Sequence, residues 1–135
     1  MFLPILVLAI ACASPAPPTT VDARARAEFA QCYRDVLEEV TDCSDGRCGE
    51  LLGGCYDRQL RVIDADSDRL LLRLQGGRCR AEADSLEEAH ARWRKALEGT
   101  RPFKEKWSSM DLRVETALLR DHALLALLAE CGKSR

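Results

Sequence analysis

The chain reads as an all-α protein: a small disulfide-bonded bundle of about four helices that begins with a helical hairpin. Three observations predict this. Apolar residues recur at steps of three and four along most of the length, and no stretch alternates apolar with polar or shows a strand–helix–strand rhythm. Cys32 and Cys43 lie eleven residues apart, and Cys48 and Cys55 seven apart. At 100° per residue, eleven steps pass three full turns by about 20° and seven fall about 20° short of two, so each pair marks one face of a helix. Between the pairs stands Ser44-Asp45-Gly46-Arg47, a turn signal.

The first element is not part of the fold. Residues 2–11, FLPILVLAIA, form an apolar run too short to span a bilayer and of the length of a signal-peptide core, so residues 1–13 read as an export signal. No Lys or Arg precedes that run. Two processing schemes fit: Ala11-Cys12-Ala13 suits cleavage before Ser14, and Leu8 to Cys12 suits a lipobox in which Cys12 carries a lipid anchor into the membrane. Residues 14–20, Pro-rich, then form a tether, and 21–135 a single helical domain.

The first helix starts at Val21, with Thr20 as N-cap and Asp22 in its first turn, and its stripe Phe29, Cys32, Tyr33, Val36, Leu37, Val40 and Cys43 carries it to Cys43. The second runs from about Gly49 to Gln75 on Leu52, Cys55, Tyr56, Leu60, Ile63, Leu70, Leu71 and Leu74, and Gly76-Gly77 ends it. Gly53-Gly54 suits the close helix approach that a disulfide at Cys55 needs. Ser85-Leu-Glu-Glu88 has the form of a capping box, so the third helix starts there or already near Arg80, and it stops at Gly99. Its stripe is Leu86, Ala89, His90, Trp93 and Leu97, which makes Trp93 a core anchor. Ser108 to Asp111 restarts a helix that reaches Cys131, with Val114, Ala117, Leu118, Leu124, Leu125 and Leu128 inward.

With Cys12 removed or lipidated, six cysteines remain, an even number suited to an oxidising compartment. In an antiparallel hairpin, facing residues keep a nearly constant index sum. That favours the nested pairs Cys32–Cys55 and Cys43–Cys48, leaving Cys79 with Cys131. In the chain-entropy model such bridges contribute about 3–4 kcal/mol each.

Composition and motifs exclude several functions. A net charge of −2 lacks the basic excess of a nucleic-acid binder. Asp64-Ala-Asp66-Ser-Asp68 has a calcium-loop beginning, but Arg69 and Gln75 stand where Gly and Glu are required, so these aspartates read as a solvated face near Arg61, Arg69 and Arg73. The Cys43, Cys48 and Cys55 spacing is not a zinc knuckle, and no metal or cofactor is expected. His90 and His122 lack a local nucleophile or acid–base signature, and Glu38-Glu39 and Glu87-Glu88 read as charged surface. No catalytic residue is expected.

Between Cys55 and Trp93 the residues follow a known pattern: Cys55, Leu60, Asp64, Asp68, Leu71 and Leu74, then Leu86, Ala89, His90 and Trp93. This order resembles the LprI-type lysozyme inhibitor domain of bacterial envelope proteins, and Glu115-Thr116 with Arg120 resembles its late segment. Asp68 stands where Asn is usual, Leu71 where Tyr is usual and His90 where Gln is usual. The Arg-Asp and cysteine expected after the tryptophan are replaced by Leu97-Glu98 and Arg101, so the family's later bridge is rewired or absent. The resemblance implies an exported, helical, disulfide-bonded binding protein of the bacterial cell envelope, lipid-anchored or periplasmic, that inhibits lysozyme or a similar cell-wall hydrolase. The alternative is a structural or assembly lipoprotein without inhibitory activity. Candidate partner contacts are cationic and aromatic, suited to a cleft lined by carboxylates: Arg78 and Arg80 beside the glycine turn, and Arg101, Phe103, Lys104, Lys106 and Trp107 in the last loop. Trp107 is either a lid on the core or an exposed contact.

Overall fold

The structure, a computed structural model, describes residues 20–40, 42–44, 46–100 and 106–133, with the side chains of 106–108 outside the description. Among these residues there are four helices and no strand: α1 (Val21–Glu39), α2 (Arg47–Gln75), α3 (Arg80–Glu98) and α4 (Lys106–Gly132). Residues 1–13, read above as an export signal with Cys12, and 14–19, read as a tether, lie outside the described residues. No helix among the described residues is long and apolar enough to cross a membrane.

Each helix boundary has a local cause. Thr20 caps α1 as expected, its hydroxyl accepting the Ala23 N–H at 3.2 Å. The helix ends at Glu39, one turn short of the expected Cys43. Val40 is already extended, and the Asp42 carboxylate takes both the N–H and the hydroxyl of Ser44 at 2.9 Å, a local bond that competes with helix continuation. α2 starts two residues earlier than expected, after Gly46 at φ 79°, a left-handed conformation that glycine adopts without a steric cost. Cys43 therefore lies in the loop and Cys48 in the first turn of α2, so the two do not face each other from opposed helices. Of the two possible starts of α3, Arg80 is the one found. The Cys79 carbonyl accepts the Ala83 N–H at 3.0 Å, and Ser85 is an exposed mid-helix residue.

α2 is 29 residues long, about 43 Å, and contributes to all three apolar clusters. α1 runs antiparallel along its first half, where Cys32, Val36 and Cys55 pack together and where Val21, Ala25 and Ile63 meet Val114, Ala117 and Leu118 of α4. α3 returns along its second half, where Leu70, Leu74, Ala83 and Leu124 form the other core. α4 is parallel to α2: Tyr56 reaches Asp111, and eleven residues on in α2 Ser67 reaches Asp121. The bundle is thus an α2–α4 spine flanked by two shorter helices. Gly53 marks a close approach, but toward α4 rather than α1: a Cβ there would sit 3.3 Å from Met110 Cε, whereas at Gly54 it would meet nothing.

The three disulfides join Cys32 to Cys55, Cys43 to Cys48 and Cys79 to Cys131, with Cα–Cα distances of 5.5, 5.3 and 6.1 Å. These are the nested hairpin pairs and the remaining long-range pair. Their loops differ greatly, with sequence separations of 23, 5 and 52. In the chain-entropy model the shortest contributes about 2 kcal/mol, below the expected range, and the longest about 4 kcal/mol.

α3 lies lightly on the spine, and Ala83 alone of its residues is buried. The face it turns inward runs through Ala83, Leu86, Glu87 and His90, so Leu86 and His90 of the expected stripe are inward while Ala89 and Trp93 are exposed. Trp93 consequently sits at the edge, 44% exposed, and is not a core anchor. In α4, Val114, Ala117, Leu118 and Leu124 are buried as expected, but Leu125 is 51% exposed. The inward position between Leu118 and Leu124 belongs to Asp121.

Candidate functional site: a polar groove between α2, α3 and α4

Arg120 organises the concave surface between α2, α3 and α4. Its guanidinium makes a two-pronged contact with Glu87 of α3, Nε and Nη2 each donating to a carboxylate oxygen at 2.8 Å. Nη2 also reaches Asp68 of α2 at 3.3 Å, and Nη1 lies 3.9 Å from Asp64. Helical spacing explains the arrangement: residues 64 and 68 are four apart on one face of α2, and that face meets α4 where α3 crosses. Burial disfavours a charge, but the Glu87 hydrogen bonds outweigh it and hold Arg120 firmly protonated. Arg120 thus ties three helices together.

Beside Arg120 opens a groove of about 390 Å³. Leu60 and Asp64 line it from α2, His90 and Arg94 from α3, and Arg113 and Thr116 from α4. His90 is half-buried, and its Nε2 is buried without a hydrogen-bond partner. Burial, seconded by the Arg120 charge, lowers its pKa, while the Thr116 carbonyl and Glu87 pull the other way. The Asp64 carboxyl is raised, first by burial and then by Asp68, against the attraction of Arg120. Arg94 on the rim is in a loose 3.6 Å ion pair with Glu98. These perturbed groups converge in a cleft, which is the usual signature of a binding site.

The Thr116 hydroxyl donates to the Leu112 carbonyl at 2.6 Å, and all six described cysteines are in disulfides. Among the described residues no group of three His, Cys, Asp or Glu side chains is placed to hold a metal ion.

No family model, curated protein or solved structure matches this chain. Its site is therefore defined by geometry.

Of the sequence-predicted contacts, Arg78 and Arg80 are those with described side chains. Arg78 and Arg80 are exposed; Arg78 donates to the Lys133 carbonyl at 2.5 Å, and Arg80 lies 3.8 Å from Asp84. They sit at the start of α3, whereas the last loop leaves its other end, 19 residues or about 28 Å away. Arg101, Phe103 and Lys104 lie outside the described residues; Lys106 and Trp107 open α4, with side chains also outside. The aspartates of α2 do not form one solvated face. Asp64 and Asp68 turn to Arg120, and Asp66 turns the other way, to Arg24 at 2.5 Å and to Arg69.

Sequence reasoning missed Arg120, Glu87 and His90 as a constellation. The available signal was spacing: Glu87, His90 and Arg94 share a face of α3, and Arg113, Thr116 and Arg120 share a face of α4.

Proposed function

We propose that this chain is an exported binding protein of the bacterial envelope that docks on another protein, a lysozyme-type cell-wall hydrolase in the first instance, and blocks it. The observation that carries this reading is the three-disulfide clamp on an all-helical bundle. Such a clamp belongs to an oxidising, extracellular-type compartment, and it presents a fixed surface in place of reactive thiols. Export on residues 1–13 with a lipid on Cys12, or as a periplasmic form, is consistent with it. The lysozyme target follows from the sequence resemblance. The basic–aromatic segment Arg101 to Trp107 is the part whose chemistry suits a carboxylate-lined cleft.

The test is capture of lysozyme by the immobilised oxidised protein at physiological salt, followed by a cell-wall lysis assay. Capture and inhibition are expected, and the combined change of Arg101, Lys104 and Trp107 to Ala is expected to weaken both by about tenfold or more. Absence of capture together with undiminished lysis removes the inhibitor reading. Capture that survives the triple change removes only the loop assignment.

A second reading, a structural module packing against another envelope component, is favoured by Leu119 and Leu125 of α4, 57% and 51% exposed. A purified domain that stays monomeric at high concentration and binds no apolar dye counts against it.

A further inference from the structure

We propose that the groove between α2, α3 and α4 is a binding site for a small zwitterion, an ammonium and a carboxylate on one short framework such as a di- or tripeptide. This proposal and the docking reading above do not depend on each other.

Two acceptors in the groove want N–H donors. His90 Nε2 is buried and makes no hydrogen bond. Burial and the Arg120 charge lower its pKa, which favours the neutral ring, and in the tautomer that carries its proton on Nδ1 the Nε2 atom is an acceptor. A buried acceptor left unpaired costs about 1–3 kcal/mol, which a bound donor would recover. The second acceptor is Asp64, whose carboxylate lies 3.9 Å from Arg120, beyond hydrogen-bond reach. An ammonium group answers both.

The opposite charge is supplied at the rim. Arg94, from α3, and Arg113, from α4, place cationic groups on the walls. Arg94 is tied only loosely to its helix neighbour Glu98, and a ligand carboxylate offers a planar guanidinium a better two-pronged contact. The floor does not have to reorganise, because Arg120 is immobilised by the two 2.8 Å bonds to Glu87. A volume of 390 Å³ lies at the small end of the range of about 300–1,000 Å³ for small-ligand clefts. That size suits a few linked residues and is too small for a folded partner.

The experiment uses the full oxidised chain and three probes: triglycine, N-acetyltriglycine without the ammonium, and triglycinamide without the carboxylate. Binding is read by titration calorimetry and by the imidazole resonances of His90 and His122. Triglycine is expected to bind saturably and to move the His90 signals while those of exposed His122 stay in place. Each blocked probe is expected to bind about tenfold more weakly, the scale of one lost charged hydrogen bond. Arg94→Gln, on an exposed side chain whose loss leaves the fold intact, should weaken triglycine and leave triglycinamide unchanged. His90→Leu should weaken both. No saturable binding at millimolar triglycine overturns the proposal. So does binding that both substitutions leave within about twofold of the parent.

Discussion

Arg120 and Asp121 are neighbours on α4, yet the two sides of the spine treat them oppositely. Arg120 points to the side closed by α3, where Glu87, Asp68 and Asp64 surround it and the groove admits water. Asp121 points to the side closed by α1 and is 1% exposed. One of its oxygens accepts a bond from the Ser67 hydroxyl at 3.2 Å, and the other has no partner. The charged groups facing it from the packed elements are Arg24 of α1, Asp66 of α2 and His122 of α4. Arg24 is engaged by Asp66 at 2.5 Å, so the nearest cation is already shared. The same helices therefore hold a compensated ion cluster on one side and a nearly bare carboxyl on the other. Charge in a helical interface is offset by partners where partners reach, and where they do not, burial favours the neutral form.

The largest way to break this contrast is to remove the hub. Arg120→Met keeps most of the side-chain volume but leaves Glu87, Asp68 and Asp64 facing one another. Because two of those carboxylates are well exposed, the expected loss is about 2–3 kcal/mol, below the range for a fully buried pair. Urea denaturation measures it, and the loss should be greater at pH 7.5 than at pH 4, where the carboxylates carry less charge. A loss under half a kilocalorie would show the cluster to be surface ornament.

A smaller effect is expected from Glu87→Gln, which keeps the shape and one hydrogen bond to Arg120 but removes the charge that pins it. About 1–2 kcal/mol should be lost. The His90 imidazole pKa should fall further, since Glu87 is one of the groups that raise it. Proton NMR titration of the ring reads this shift, and a rise would contradict the assigned electrostatics.

The smallest change, and the one that sharpens the comparison, is Asp121→Asn. Burial, with the Asp66 charge second, raises the Asp121 pKa above the ordinary carboxylate value, against the pull of Ser67, His122 and Arg24. A raised folded-state pKa means that the fold binds this proton more tightly than the unfolded chain does. The stabilising contribution is present below the unfolded value and is lost as pH rises through the folded one. The amide mimics the protonated form. Asp121→Asn should therefore be near neutral at pH 4 and match or exceed the parent by about 1 kcal/mol at pH 7.5. Chemical denaturation at the two pH values decides it. A substitution that destabilises more at pH 7.5 than at pH 4 would mean the carboxylate is charged and paired in the fold.

Much of the fold was legible because its signals are local. Helical periodicity marks all four helices, Thr20 caps the first, and Gly76-Gly77 and Gly99 stop the next two. Antiparallel index arithmetic accounts for Cys32–Cys55; Cys43–Cys48 closes the loop between the helices, and Cys79–Cys131 is the pair that remains. The misreadings are failures of rotation and of competition. Trp93 and Leu125 satisfy a helical stripe, yet each lies at the edge of its helix's inward face, where the neighbouring helices do not cover it. Cys43 extends a periodic pattern that Asp42 interrupts by bonding to Ser44.

Sequence alone thus settled what depends on neighbours along the chain: the helices, their stops, the hairpin and the oxidised cysteines. The tertiary structure decided what depends on which faces meet. It sent Asp64 and Asp68 one way and Asp66 the other, buried Asp121 beside Ser67, and brought Glu87, His90 and Arg120 to one groove. The reason is geometric. A helix of 3.6 residues per turn offers every side chain a direction, but only packing against two other helices says which directions lie in water and which find a partner.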